Sequence, residues 1–189
     1  MEALRREIDS AFAERAHPGD ERIALHRDDC PGYEGNDVAR FFRGKDWREV
    51  TWESIVSDPN LDPNAFSFFF TPEGFVYYLP ALLKLALDLD TSLQPAESLC
   101  FALKPPGDWA GEEVTKQLEH KLELLTPTEK RAVVDVLEYL AEEWDRRSYV
   151  GNQAREALDA LWIDLAREAS SGSNEPEPVR RRDGTGEAS

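Results

Sequence analysis

The amino-acid sequence predicts a mainly α-helical protein folded as a single multi-helix domain. Apolar residues recur every three or four positions in several segments, which is the spacing that places side chains on one side of a helix. Two segments begin with Thr-Pro, at Thr71 and Thr126, and this pair joins a preferred N-cap to a proline suited to the first helical position. Glu129 follows Thr126 at capping-box spacing, in which each side chain bonds the other residue's backbone N–H.

The domain is predicted to span residues 1–169. The 189 residues are enough for one domain of ordinary size. Residues 170–189 contain Val179 as their only large apolar side chain and are predicted to form a disordered tail. One short two-stranded β element is left open, built from the regions around Ile23 or Phe66.

The predicted core lies in the run FSFFFTPEGFVYYLPALLKLALDL, which begins at Phe66. A helix should begin at Pro72. Because no charged residue separates Glu73 from Lys84, the first turns of this helix should be buried on nearly all sides. Pro80 should bend the helix, because proline lacks the N–H of one helical hydrogen bond.

Shorter amphipathic patterns predict the other helices. The helix after Thr126 has the clearest pattern: Leu137 and Leu140 should point inward, whereas the acidic residues, Glu129 among them, should point largely outward. Residues 90–106 should form a connector with a single packed turn, because prolines interrupt them. The predicted helices span residues 2–15, 37–43, 52–56, 112–125, 127–147 and 152–169, with turns at 28–36 and 149–152.

The net charge of −16 arises from 38 acidic and 22 basic residues. The tail holds four acids and three arginines, so −15 of this charge lies on residues 1–169. An acidic surface repels the phosphates of nucleic acids and anionic membranes and attracts basic molecules. The charge therefore argues against nucleic-acid and membrane binding and favours a basic protein partner. An alternative interpretation of the net charge of −16 is that the surplus of acidic residues serves only to keep the protein soluble.

The candidate partner-binding residues are acidic side chains on the outer side of the helix after Thr126. They lie close together along the helix, and the next basic residues come only after them. Such a face suits an immunity-like or regulatory protein, whose negative surface covers a positive site on its partner. The candidates are Asp135, Glu138, Glu142 and Glu143.

The protein is expected to be cytoplasmic. The first residues, MEALRREIDSAFAER, carry charges throughout and lack the apolar centre of a secretory signal. No apolar run reaches the roughly 20 residues of a membrane span. Cys30 and Cys100 are accordingly expected to be free thiols, both mostly buried.

The alternative interpretation is an enzyme or a metal-binding protein with a site near His26 and Cys30. These residues are metal-type ligands four positions apart, but the chain lacks the paired close spacings, such as Cys-x-x-Cys, that mark zinc sites. A catalytic Cys-His pair would also need an orienting third group. An enzyme site would include the aromatic side chains of Phe41, Trp47 and Tyr77. No cofactor is predicted, and a binding protein is favoured over an enzyme.

Several blocks of the sequence resemble a family of uncharacterised bacterial proteins of unknown function. The most specific block is TPEGF-x-YYLPA, at residues 71–81, and the resemblance extends over about the first 145 residues. It implies no activity and no catalytic residue. A second cysteine soon after Cys30 belongs to the family pattern, and its absence here weakens the metal interpretation. The other matching blocks are AF-x-x-x-x-x-PGD at 11–20, His26 with Cys30, Phe42-x-Gly44-x-x-Trp47, and VVDVLEYL in the second Thr-Pro helix.

Overall fold

A computed structural model describes residues 1–63, 66–88, 92–105, 112–144 and 149–165. Within these ranges the protein consists of α-helices joined by loops and short 3₁₀ turns, which confirms the predicted mainly α-helical single domain. The helices are α1 (Glu2–Ala11), α2 (Glu34–Phe42), α3 (Trp52–Val56), α4 (Pro72–Ala86), α5 (Gln94–Leu103), α6 (Glu112–Glu123), α7 (Pro127–Trp144) and α8 (Tyr149–Ala157).

Five helices of the described chain pack in a closed ring. Along this ring α4 contacts α5, α5 contacts α8, α8 contacts α7, α7 contacts α1, and α1 returns to α4. The sixth long helix, α6, packs against α4. Apolar side chains from these helices form one continuous core. The ring therefore joins the first helix of the chain to the last two.

The central helix α4 begins as predicted. Thr71 is its N-cap and accepts a hydrogen bond from the Gly74 N–H at 3.0 Å, and Pro72 occupies the first position. The side chains from Phe75 through Leu83 are all buried. Pro80 lies inside the helix. An apolar composition without charges over this stretch has produced a helix buried on nearly all sides.

A short extended segment is clamped between α2 and α4. Its backbone forms a single antiparallel bridge with the residue before Thr71, so the predicted β element is reduced to one residue pair, Ala24 and Phe70. Two glycines allow the helices to approach the segment closely. A Cβ at Gly74 would lie 1.8 Å from the Ile23 carbonyl oxygen, and one at Gly35 would lie 1.9 Å from the Leu25 carbonyl oxygen.

Three boundaries differ from the sequence prediction. The supposed connector at 90–106 contains the ten-residue helix α5, because its proline, Pro95, falls in the first turn, where a missing N–H leaves no bond unmade. The helix α2 begins at Glu34, three residues early, inside the predicted turn. The supposed turn at 149–152 is helical and belongs to α8.

The last helical segment changes its winding. After α8 the chain continues as a π-helical turn, Leu158–Trp162. The indole N–H of the buried Trp162 donates a hydrogen bond of 2.8 Å to the Leu103 carbonyl oxygen at the end of α5. This bond satisfies one of the carbonyls that a helix end leaves without an internal partner, and it ties α5 to the end of the described chain.

Two predictions concern residues beyond this description. The domain boundary at 169 and the disordered tail at 170–189 both lie outside the described residues. In the part of the chain that is described, no helix is both long enough and apolar enough to cross a bilayer.

Candidate acidic face on α7 and the clefts around it

The outer side of α7 carries most of the candidate partner-binding residues. The inward side chains from Val133 to Leu140 are fully buried as predicted, and the side chain of Trp144, also predicted inward, lies outside the described residues. Glu138, Glu142 and Glu143 are exposed, and we call these three residues the acidic face of α7. None of the three forms an ion pair with another described residue. Their charges are therefore left for solvent or for a partner.

Asp135 differs from the acidic face, although it lies only one turn before Glu138. Its side chain is 15% exposed, and its Oδ1 lies 2.9 Å from the Nε of Arg131 on the same helix. An opposite charge four residues away on a helix interacts favourably with the carboxylate and offsets its charge locally. Asp135 therefore lies at the edge of the acidic face and contributes little charge to it.

Glu129 is buried, and the prediction that it points outward is wrong. It is 3% exposed, and its two carboxylate oxygens accept hydrogen bonds from the Nε and Nη2 of Arg15, just beyond α1. The predicted capping box is present, because Glu129 Oε2 accepts from the Thr126 N–H at 2.8 Å and Thr126 Oγ1 accepts from the Glu129 N–H at 3.3 Å. Arg15 also donates to the Leu124 carbonyl at 3.0 Å. The Glu129 carboxylate thus caps the N-terminus of α7 and binds it to the segment that follows α1.

His26 lines an open groove of about 570 Å³. The groove lies beside α2, and the side chains of Asp20, Arg40 and Arg43 also reach it. Arg40 already binds Asp58 through Nη2 at 2.9 Å, and this bond lowers the pKa of the Asp58 carboxyl. The groove therefore combines an exposed imidazole with cationic and anionic groups, a setting that suits a polar small molecule.

The loop that carries His26 and Cys30 is held by one amide. Asn36 Oδ1 accepts from the Arg27 N–H at 2.8 Å, and its Nδ2 donates to the carbonyls of Arg27 and Cys30 at 3.1 and 2.9 Å. His26 reaches the groove, whereas Cys30 is not among the residues that line it. No three His, Cys, Asp or Glu side chains in the described ranges are grouped to hold a metal. A metal at His26 and Cys30 would need ligands from elsewhere.

The two cysteines have opposite environments. Both are free thiols, as predicted, but Cys30 is exposed, so the prediction that both are mostly buried is wrong for Cys30. All residues from Leu25 to Gly32 are exposed, so the loop offers no covered side on which the thiol could be buried. Cys100 on α5 is fully buried, and burial raises the pKa of its thiol to about 12. Only Cys30 is placed to react.

The aromatic residues of the alternative enzyme site do not share one open pocket. Phe41, Trp47 and Tyr77 are all buried. Trp47 lines a cleft of about 290 Å³ that lies mainly between the segment 47–53 and α4, whereas Tyr77 lines a separate cleft of about 460 Å³. The Tyr77 cleft also contains His17, whose ring meets the Tyr77 ring edge-on at 4.9 Å. From the sequence His17 was only one of the scattered metal-type ligands, and no local pattern predicted its contact with Tyr77.

The chain matches the model of a protein family. The model described as "Family of unknown function (DUF6714)" matches residues 1–166. The chain belongs to this family. Neither the curated proteins nor the solved structures contained a match to the chain.

Membership of DUF6714 agrees with the predicted resemblance to a family of unknown function. The family match extends over every helix in the described chain, from α1 through α8 and the π-helical turn. The helical domain and the family match therefore cover the same part of the chain. Because the family description names no activity, function must be argued from the surfaces of this chain alone.

Proposed function

We propose that the protein binds a basic protein through the acidic face of α7, in an immunity-like or regulatory role. The observation that supports this proposal is the exposure of Glu138, Glu142 and Glu143 without a cationic partner among the described residues. The same helix pairs its other acids, because Glu129 binds Arg15 and Asp135 binds Arg131. Among the residues that the structure describes, the acidic face is thus the part of α7 whose charges have no ion-pair partner.

The physical role of this face is to steer a partner. Exposed charges of one sign raise the rate at which an oppositely charged protein arrives, and salt weakens the effect by screening. They add less to the lifetime of the complex, which depends on buried contacts. The net charge of −16 extends the attraction beyond the face itself. A basic protein is therefore the class of partner expected.

The experiment separates the acidic face from total charge. The immobilised full-length protein would be exposed to a lysate of the organism that makes it, and the bound basic protein then purified for kinetics. The test variant reverses Glu138 and Glu142 to Lys. The matched control reverses Glu119 and Glu123 to Lys, an exposed pair with the same spacing on α6 and the same change in net charge.

We expect the α7 variant to slow association and flatten its salt dependence, because it removes the steering charge. The α6 variant should keep most of the association rate and most of its salt dependence. Equal losses in the two variants would mean that only net charge matters and that the face has no special role. A partner indifferent to both variants and to salt would rule out the proposal. Circular dichroism would verify that the variants stay folded.

The groove lined by His26 supports a second candidate, an enzyme or a small-molecule binding protein. Its support is the placement of the exposed His26 imidazole beside Asp20 and Arg40 in one groove. Metal analysis of the purified protein tests the metal form, and zinc at one per chain would favour it. Faster alkylation of Cys30 than of Cys100 carries no weight, because exposure alone produces that result. Cys30 would have to react faster than a free thiol in solution.

A further inference from the structure

The indole N–H of Trp47 is a buried donor without an acceptor among the described residues. The Trp47 side chain is 1% exposed, and its Nε1 forms no hydrogen bond with any of them. A second buried tryptophan, Trp162, donates its N–H to the Leu103 carbonyl at 2.8 Å. A buried N–H that stays unpaired costs free energy, and buried tryptophans usually find a partner for it. The Trp47 N–H is therefore a donor that a ligand could satisfy.

The open space beside Trp47 is the cleft of about 290 Å³. Trp47 lines this cleft and neither the groove of His26 nor the cleft of Tyr77. Its walls come from the 3₁₀ turn Trp47–Glu49, from α3 and from the last turns of α4, and Arg5 of α1 also reaches it. The volume lies near the lower end for small-molecule sites. A small ligand that accepts from the Trp47 N–H would enter through this cleft.

Two cations that line the cleft lie over the Trp47 ring. The guanidinium carbon of Arg48 is 4.3 Å from the ring centre, and the Nζ of Lys84 is 5.5 Å from it. Both cations are paired with carboxylates, because Arg48 contacts Asp46 at 3.3 Å and Lys84 binds Asp9 at 2.9 Å. These contacts hold the ring at the wall of the cleft, and the charges of both cations are already compensated.

Arg5 is a cation of this cleft whose charge is not compensated in this way. It is half-buried on α1 and forms no ion pair with another described residue. The guanidinium of Arg5 and the indole N–H of Trp47 both donate hydrogen bonds and accept none. A carboxylate has two oxygens that only accept, and its charge strengthens both kinds of bond. The two groups together favour a carboxylate ligand.

The remaining walls restrict the kind of carboxylate. Val50, Trp52 and Leu85 provide apolar surface, on which an apolar body loses its contact with water. Glu53 and Asp88 also line the cleft, and neither forms an ion pair with another described residue. A second negative charge on the ligand would be repelled by these two carboxylates. The cleft therefore suits one carboxylate on an apolar body.

We propose that this cleft is a binding site for a small monocarboxylate with an apolar body. The carboxylate accepts a hydrogen bond from the indole N–H of Trp47 and is paired with the guanidinium of Arg5. The apolar body packs on Val50, Trp52 and Leu85. The site is separate from the acidic face of α7 and from the groove of His26, so its test does not depend on either.

The test follows the indole signals of the protein by NMR. The isotope-labelled full-length protein would be titrated with isovalerate, a probe that carries one carboxylate on a short branched chain. We expect the Trp47 indole N–H signal to move downfield and to saturate, because the proton gains a charged acceptor. The Trp162 indole signal should stay in place, because its N–H is already bound to Leu103.

Two further probes test the class of ligand. Isovaleramide has nearly the same shape without the charge and should bind several-fold more weakly, because a neutral acceptor forms weaker hydrogen bonds. Inorganic phosphate has the charge without the apolar body and is repelled by Glu53 and Asp88, so it should not move the Trp47 signal. Equal binding of isovaleramide and isovalerate, or an equal shift with phosphate, would overturn the proposal.

A matched pair of variants tests the role of Arg5. Arg5→Gln removes the uncompensated cation and should weaken isovalerate binding about tenfold or more. Arg6→Gln makes the same change at the next position, which is exposed and does not line the cleft, and should leave binding unchanged. The spectra themselves show whether each variant is folded. Equal losses in the two variants would contradict the proposal, and so would a Trp47 signal that isovalerate does not move.

Discussion

The helices α4 and α7 have the same backbone conformation but differ in how much of their surface is buried. In α4 the side chains from Phe75 through Leu83 are buried, so only the two ends of the helix are left partly exposed. In α7 one side is buried to the same degree, and the other presents Glu138 and Glu142 to solvent. The difference teaches where to look for function. A buried helix determines the fold, and an amphipathic helix is free to carry a site on its outer side.

The largest effects should come from the cores of both helices. Leu79→Ala on α4 and Leu137→Ala on α7 each remove a fully buried side chain, so each should lower the free energy of unfolding by about 2–5 kcal/mol. Urea denaturation measures both. If Leu137→Ala lowers the free energy of unfolding far less than Leu79→Ala does, the inward side of α7 is not part of the core, and α7 does not differ from α4 in the way described.

A smaller effect should distinguish two glutamates on α7 by position alone. Glu129→Gln keeps the shape of the capping box but removes the charge that binds Arg15, and should cost about 1–3 kcal/mol. Glu138→Gln is the same chemical change at an exposed position and should stay within about 0.5 kcal/mol of the original protein. Equal values for the two variants would contradict the burial of Glu129.

The contact of α6 with α4 should appear as a pH effect. Burial lowers the folded-state pKa of Lys121 on α6 to about 8, below its unfolded value of about 10.4, so between these two values the unfolded chain binds more protons. The contribution of Lys121 to stability should therefore rise with pH across this window. Compared with Lys121→Met, the original protein should gain relative stability from pH 8 to 10. If the difference in unfolding free energy between the two proteins does not change with pH, the Lys121 side chain is exposed to solvent rather than packed against α4.

The smallest effect should come from the acidic face. Glu138 and Glu142 lie four residues apart and repel each other, so Glu142→Gln should raise the free energy of unfolding by about 0.2–0.5 kcal/mol at low salt. The gain should vanish at high salt because of screening. A loss of stability instead would mean that Glu142 has a stabilising contact within the fold.

Local signals in the sequence were enough to predict much of this fold. The N-cap at Thr71, the capping box at Thr126 and the buried stripe of α7 depend on residues within a few positions of each other, and all three are confirmed. The helix α5 was missed because the two prolines that begin at Pro105 were taken to exclude regular structure, although they follow the end of the helix at Leu103, and Pro95 lies in its first turn, where a proline leaves the helix intact.

Two further features were not predicted because they depend on residues far apart in the chain. Periodicity places Glu129 on an outer side of its helix, and only Arg15, 114 residues away, explains its burial. The position of His17 beside Tyr77 is likewise a tertiary contact. The ion pair of Asp135 with Arg131, by contrast, follows the i,i+4 spacing on one helix and could have been predicted from the sequence.

The pair formed by Arg15 and Glu129 also bears on how the protein is made. A ribosome adds roughly 5–20 residues per second, so the 114 positions between the two side chains correspond to a delay on the order of 10 s. During that time α1 has been synthesised, but the helix that covers it has not. The apolar side of α1 and the residue after it, with Ile8 and Phe12, therefore remains exposed or only partly covered until α7 leaves the ribosome. The nascent chain is therefore most open to chaperones, and to aggregation, through its first helix.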